Sequence, residues 1–186
     1  MTSIKTKLVA LLGMILLTTS LAYSDPTSYG AGDRQLEQKI RKELVKLPYY
    51  GVFDNLAFNV NGGTVTLYGQ VVRPTTKSDA EYRVAHLAGV NRVINRIEVL
   101  PLSSFDDSLR QRTYRAVFSQ GGLYRYALGA NPSIHIIVNR GHVTLEGVVA
   151  NRGDAQRAYI AARTVPGSFS VTNHLRIEEA GRSKLG

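Results

Sequence analysis

Apolar positions along this chain change their period in a fixed order, and the order occurs twice. Leu36, Ile40, Leu44 and Leu47 follow helical spacing, and Asp33 stands where a cap would open that helix. Phe58 and Val60, then Val65 and Leu67, alternate with polar neighbours as half-buried strands do. Asn61-Gly62-Gly63 lies between these stretches and tolerates positive φ, which predicts a hairpin. Gly69 on the inward face is expected to leave room for a close helix. Ala80, Val84 and Leu87 return to helical spacing, and Val93 to Val99 alternates again as a closing strand.

The second pass is as clear as the first. "RGHVTLEGVV" at 140–149 matches "GGTVTLYGQV" at 62–71 in six of ten positions, an offset of 78 that continues without a gap to the end of each copy. Ile134, Ile136 and Val138 form its first strand, Asn139-Arg140-Gly141 its turn, Val143, Leu145 and Gly147 its return strand, Ala158, Ala162 and Val165 its helix, and Val171 to Ile177 its closing strand. Upstream the offset falls to 73, pairing Asp33 with Asp106 and Leu36 with Leu109, so the second copy carries about five extra residues before its first strand. Asn95 and Asn173 share the inward parity of their strands and are expected to be buried amides bonded to backbone groups. Each unit reads helix, strand, strand, helix, strand, an α+β fold in which two helices cover one face of a three-stranded mixed sheet.

Asp-x-x-Leu opening a helix, Gly-x-Val-x-Leu-x-Gly at Gly63 to Gly69 and Gly141 to Gly147, Gly89 or Gly167, and the closing Val-x-Asn strand together resemble the BON domain, named for bacterial OsmY and nodulation proteins. The resemblance covers residues 33–101 and 106–178, leaving tails at 25–32 and 179–186. OsmY-like members have tandem BON domains and periplasmic export. The resemblance implies a noncatalytic periplasmic module that binds phospholipid and supports the envelope, sometimes under osmotic stress. The second copy departs from the pattern in its longer loop and in Pro166 before Gly167.

Residues 1–24 read separately, with Lys5 and Lys7 before an apolar run from Leu8 to Leu17 and a small-x-small site at Ala22-Tyr23-Ser24. This predicts a cleaved export signal too short to span a bilayer, and a mature chain beginning near Asp25. The sequence has no Cys, so it holds no disulfide, thiolate metal site or lipoprotein anchor. Without Lys5 and Lys7 the chain has 21 basic and 14 acidic residues, and the excess is concentrated in the second half, +5 over 102–186 against +2 over 25–101. In an exported protein such a balance points to anionic lipid or polymer before nucleic acid. The linker Pro101 to Phe105 is short enough to bring the two units into contact.

Catalytic patterns are missing from the sequence. His86, His135, His142 and His174 stand at no metal-ligand spacing, Asp106-Asp107 is a helix cap with a favourable charge at the dipole's positive end, and Gly62-Gly63 and Gly121-Gly122 lack the Lys-Ser/Thr of a phosphate loop. No cofactor, metal site or enzyme activity is expected. Features present in one copy only are better guides to function. In the helix after Asp106 the inward stripe is Leu109, Ala116 and Val117; Tyr114 and Phe118 fall about 140° and 180° from Leu109, where the first copy has Arg41 and Val45. Arg110 and Arg115 flank these rings, and the extra loop adds Tyr124, Arg125 and Tyr126. Rings interleaved with guanidinium groups suit reversible contact with an anionic phospholipid surface. The same rings also suit a core packed under the loop or against the other copy, or a contact with an envelope protein or glycan, in which case the chain is an adaptor.

Overall fold

The computed structural model describes residues 26–129 and 131–178. The expected export signal lies outside them. The first unit consists of α1 (Pro26–Leu44), β1 (Asn55–Asn61), β2 (Thr64–Val71), α2 (Pro74–Ala85), β3 (Arg92–Asn95) and β4 (Glu98–Val99). The second consists of α3 (Ser104–Phe118), a 3-10 turn (Leu123–Ala127), β5 (Ile134–Asn139), β6 (His142–Val149), α4 (Arg152–Arg163), β7 (Ser170–Asn173) and β8 (Arg176–Ile177). β1 pairs antiparallel with β2, which pairs parallel with β3 and β4; β5, β6, β7 and β8 repeat this arrangement. The chain therefore has the two tandem αββαβ units that its periodicity predicts.

Leu36, Ile40, Leu44, Val65, Leu67, Ala80 and Val84 close the first core, and Leu109, Val117, Ile134, Ile136, Val143, Leu145, Ala158 and Ala162 close the second. Local details differ from the sequence reading. Asp33 sits inside α1 rather than at its start. Ser103 caps α3, its Oγ accepting from the Asp106 N–H at 3.1 Å. Asp106 instead turns inward and accepts from the Arg140 and Gly141 N–H groups, both at 2.8 Å, tying α3 to the β5–β6 turn.

The closing strand of each unit is broken in two by its Asn. Asn95 donates to the Lys77 carbonyl at 3.1 Å and accepts from the Ile97 N–H at 3.1 Å; Asn173 makes the equivalent bonds with Ala155 and Leu175. The amides have the expected backbone partners, but Asn95 is half-buried and Asn173 exposed, each being the last residue of its strand, at the break. Gly69 and Gly147 also serve a purpose other than helix clearance. Their φ values are +109° and +115°, and a Cβ would overlap the carbonyl of Asn55 or Ser133 on the neighbouring segment. They mark where the return strand kinks and the backbones approach closely.

The two units touch through residues 50–54. The Ile136 N–H on β5 donates to the Val52 carbonyl at 2.7 Å, and Val52 and Phe53 pack against the second core. His135 and Ile137, on the outer face of β5, are buried there, so every residue from Ile134 to Val138 is buried. Asn139 adds a bond to Glu98 at 3.3 Å.

Candidate functional site

The residues singled out in the second unit separate into an interior group and a surface group. Arg110, 3% exposed, donates to the Val138 carbonyl at 2.7 Å and pairs with Asp107. Phe118 is 7% exposed. Tyr114, half-buried, lies 4.8 Å from Phe118 and 6.2 Å from Phe53 between ring centroids. The face opposite the inward stripe of α3 is thus a second packing layer, covered by the extra loop and by the first unit. Tyr126 is buried as well; its hydroxyl donates to Asp154 at 2.5 Å and accepts from the Ala150 N–H at 2.9 Å. As placed, Arg110, Phe118 and Tyr126 are structural side chains, since a buried ring or guanidinium cannot meet a headgroup. Arg115, Tyr124 and Arg125 reach the surface.

Asp154 explains how the extra loop is held. It is fully buried and is paired with Arg125 and Arg157, with the Asn151 amide donating at 3.1 Å. The Tyr126 hydroxyl first, then Arg157 and Arg125, hold its carboxyl below the ordinary carboxylate range despite burial. The loop Gly121–Gly129 is therefore fastened to α4 rather than extended into solvent.

A second cluster lies at the other end of α3, where three connections converge. Phe105 at the start of the helix is 45% exposed and stacks at 6.1 Å on Phe169, which is 72% exposed and precedes β7. The Phe169 ring lies over Gly141 in the β5–β6 turn, where any Cβ would collide with it, and His142 meets it edge-on at 5.8 Å. Arg140 in the same turn holds φ +51°, and is the only described non-glycine residue with positive φ. Arg112 and Phe105 both lie beside Gly167, where a Cβ would meet them at 3.3 and 3.6 Å. Two large exposed rings thus stand beside Arg112, Arg140 and His142. Counting about 100° per residue, Phe105, Arg112 and Arg115 share one side of α3.

Differences between the two copies mark this cluster in the sequence as well. At the offsets of 73 and 78, Phe105 replaces Gly32, Phe169 replaces Asn91 and Arg140 replaces Gly62. Two isolated phenylalanines 64 positions apart form no local pattern, unlike the dense aromatic run of the helix and loop. Among the described residues, no three His, Asp or Glu side chains converge as metal ligands, and no helix is long and apolar enough to cross a membrane.

The chain matches the BON domain family over residues 32–101 and 123–179. It is also similar to the C-terminal domain of CdsD, described as the structural protein of the type III secretion system of Chlamydia trachomatis, at 14% identity, covering 77% of this chain and 98% of that one, with a TM-score of 0.33. A second CdsD structure gives 15% identity, 79% and 95% coverage and a TM-score of 0.30. No curated protein matches. With two matched segments falling on two copies of one αββαβ unit, the chain belongs to the BON domain family, which is known for envelope-associated and membrane-binding roles and is generally noncatalytic.

Proposed function

We propose that this is an exported, periplasmic, noncatalytic protein that binds anionic phospholipid surfaces reversibly through its second domain and so supports the envelope under osmotic stress. The observation that carries the reading is the exposed Phe105–Phe169 stack beside Arg112 and Arg140. Rings held out of the core at the junction of three loops can enter the headgroup layer without unfolding anything. The guanidinium groups beside them can meet lipid phosphate. Arg115 on the same side of α3, with Tyr124 and Arg125 in the loop beyond it, extends the contact. The charge distribution, with most of the positive excess in the second half, favours the same face.

The magnitudes suit a reversible association. Each basic residue near an anionic surface contributes about 1 kcal/mol, and each partly inserted ring adds roughly 1–2 kcal/mol. In co-sedimentation with phosphatidylglycerol vesicles, the protein is expected to pellet at low salt and be released by salt, and to ignore phosphatidylcholine. Phe105→Ala with Phe169→Ala should weaken pelleting by about tenfold or more while the thermal transition persists. Wild-type protein that stays in the supernatant with anionic vesicles at low salt refutes the proposal.

A further inference from the structure

The two copies differ in what meets the outer edge of their sheets. On β5 the Ile136 N–H donates to the Val52 carbonyl, so a turn of the first domain already meets that edge. The offset of 78 makes Phe58 the counterpart of Ile136, and their cross-strand partners, Leu67 and Leu145, are counterparts too. The Phe58 N–H therefore points away from β2, as the Ile136 N–H points away from β6. Among the described residues, β1 pairs with β2 alone. The Tyr50 hydroxyl meets the Leu56 backbone at the start of this edge, and Phe58 and Val60 follow along it.

The space beside this edge is a groove of about 270 Å³, walled by Glu37 and Arg41 of α1, the β1 segment Leu56 to Asn59, and Arg176 of β8 in the other domain. The Arg41 guanidinium lies 5.8 Å from the centre of the Phe58 ring. Neither Arg41 nor Arg176 joins an ion pair among the described residues. Glu37 is the one carboxylate in the wall, so the groove keeps a positive balance. Strand edges are usually kept from pairing by charges or proline. Asn55 to Asn61, reading NLAFNVN, has neither.

We propose that the outer edge of β1 docks an extended acidic segment of a partner protein. The segment adds as a strand along Phe58 and Val60 and sets its carboxylates against Arg41 and Arg176. Unpaired main-chain donors select a polypeptide, which has carbonyls at strand spacing, and the two guanidinium groups select its charge.

The test uses the full-length protein and a capped hexapeptide alternating glutamate and valine, followed by amide NMR and hydrogen exchange. The peptide should shift and protect the Phe58 and Val60 amides, and Arg41→Glu with Arg176→Glu should weaken it by about tenfold or more. Both arginines are exposed, so this variant should keep the wild-type thermal transition; if it does not, the corresponding Gln variants take its place. A lysine–valine peptide should leave these amides unchanged. The proposal is overturned if the two peptides act alike, if the acidic peptide at about 1 mM leaves the β1 amides unmoved, or if phosphatidylglycerol vesicles perturb them instead.

Discussion

The Nδ1 atom of His135 lies 3.1 Å from the Gly51 carbonyl oxygen, across the junction between the two domains. A carbonyl only accepts, so Nδ1 carries the proton. Nε2 is then the acceptor facing the Tyr50 hydroxyl at 3.5 Å, with the two rings 5.4 Å apart. Burial lowers the His135 pKa below its usual 6.5, against the opposing influence of the Gly51 backbone and the Asp54 carboxylate. Burial likewise pushes the Tyr50 hydroxyl up to about 12, so it stays a neutral donor. Asp54 accepts from the Gly51 and Val72 N–H groups at 3.0 and 2.7 Å, which fixes the loop that presents both.

Domain docking should therefore weaken in mild acid. A docked pKa below the undocked one means that the docked state binds fewer protons, so this contribution is complete above the ordinary value of 6.5 and declines as pH falls below it. Asp54, raised by burial from its ordinary 3.8, works in the opposite direction over a window that runs upward from 3.8. Glu146, opposite His135 on β6 and engaged with His174 at 2.8 Å, also opposes the lowering, and Arg73 acts on Asp54. Spin labels placed one on each domain should report a wider distance distribution at about pH 5 than at about pH 7.5, and His135→Gln should remove the difference. A distribution of constant width across that range counts against the mechanism.

Gly147→Ala should be among the most damaging single substitutions in the chain. At φ +115°, and with the Ser133 carbonyl in the way, an added methyl strains the backbone and separates two paired segments, at a cost of about 2–4 kcal/mol. Gly62→Arg makes the contrast. Its φ is +55° with open space around it, and the second copy already holds Arg140 at +51° in the same place, so the cost should be about 1 kcal/mol. Urea denaturation of both variants checks the ranking, and equal midpoints contradict the geometric account.

The architecture was legible because periodicity and turn chemistry act locally, and the chain states both twice. What periodicity could not supply was the partner of each outward side chain. Ile137 replaces Asn59 and is buried, so an apolar residue on the polar face of β5 was a readable sign of the domain junction. Helical angles place Phe118 off the core stripe, which suits either a surface contact or packing under the loop. Nothing in those angles shows that Tyr114, the loop and Phe53 cover it. Asp106 has a cap's identity and position, yet it serves a turn 34 residues away, a contact that only the tertiary fold creates.

Truncating that junction tests its worth. Ile137→Ala removes most of a side chain buried on the outer face of β5, next to the Ile136–Val52 contact, and should destabilise the junction by about 2–4 kcal/mol. Asn59→Ala, at the matching but exposed place on β1, should be nearly neutral. Calorimetry should show the melting of the two domains becoming less coupled in the first variant alone. Two variants with equal effects would mean that β5 is not held by the first domain.

Tyr126→Phe should loosen the extra loop without unfolding the second domain. The hydroxyl both donates to Asp154 and accepts from the Ala150 N–H, so its loss leaves a fully buried carboxylate short of a donor and a backbone donor without an acceptor. The expected cost is about 1–3 kcal/mol, because hydrogen bonds to charged groups are stronger than neutral ones. Its pH dependence separates this account from simple loss of packing. The native Asp154 pKa is depressed, so the stabilisation is present above the ordinary value of 3.8 and is lost as pH falls through the native one. The difference between wild type and variant, measured by urea denaturation, should therefore shrink in strong acid. Hydrogen exchange should show the variant opening first at Leu123–Ala127, the segment that the network fastens. A gap that stays constant as pH falls would assign the role of Tyr126 to its ring and leave the carboxylate network without influence on the loop.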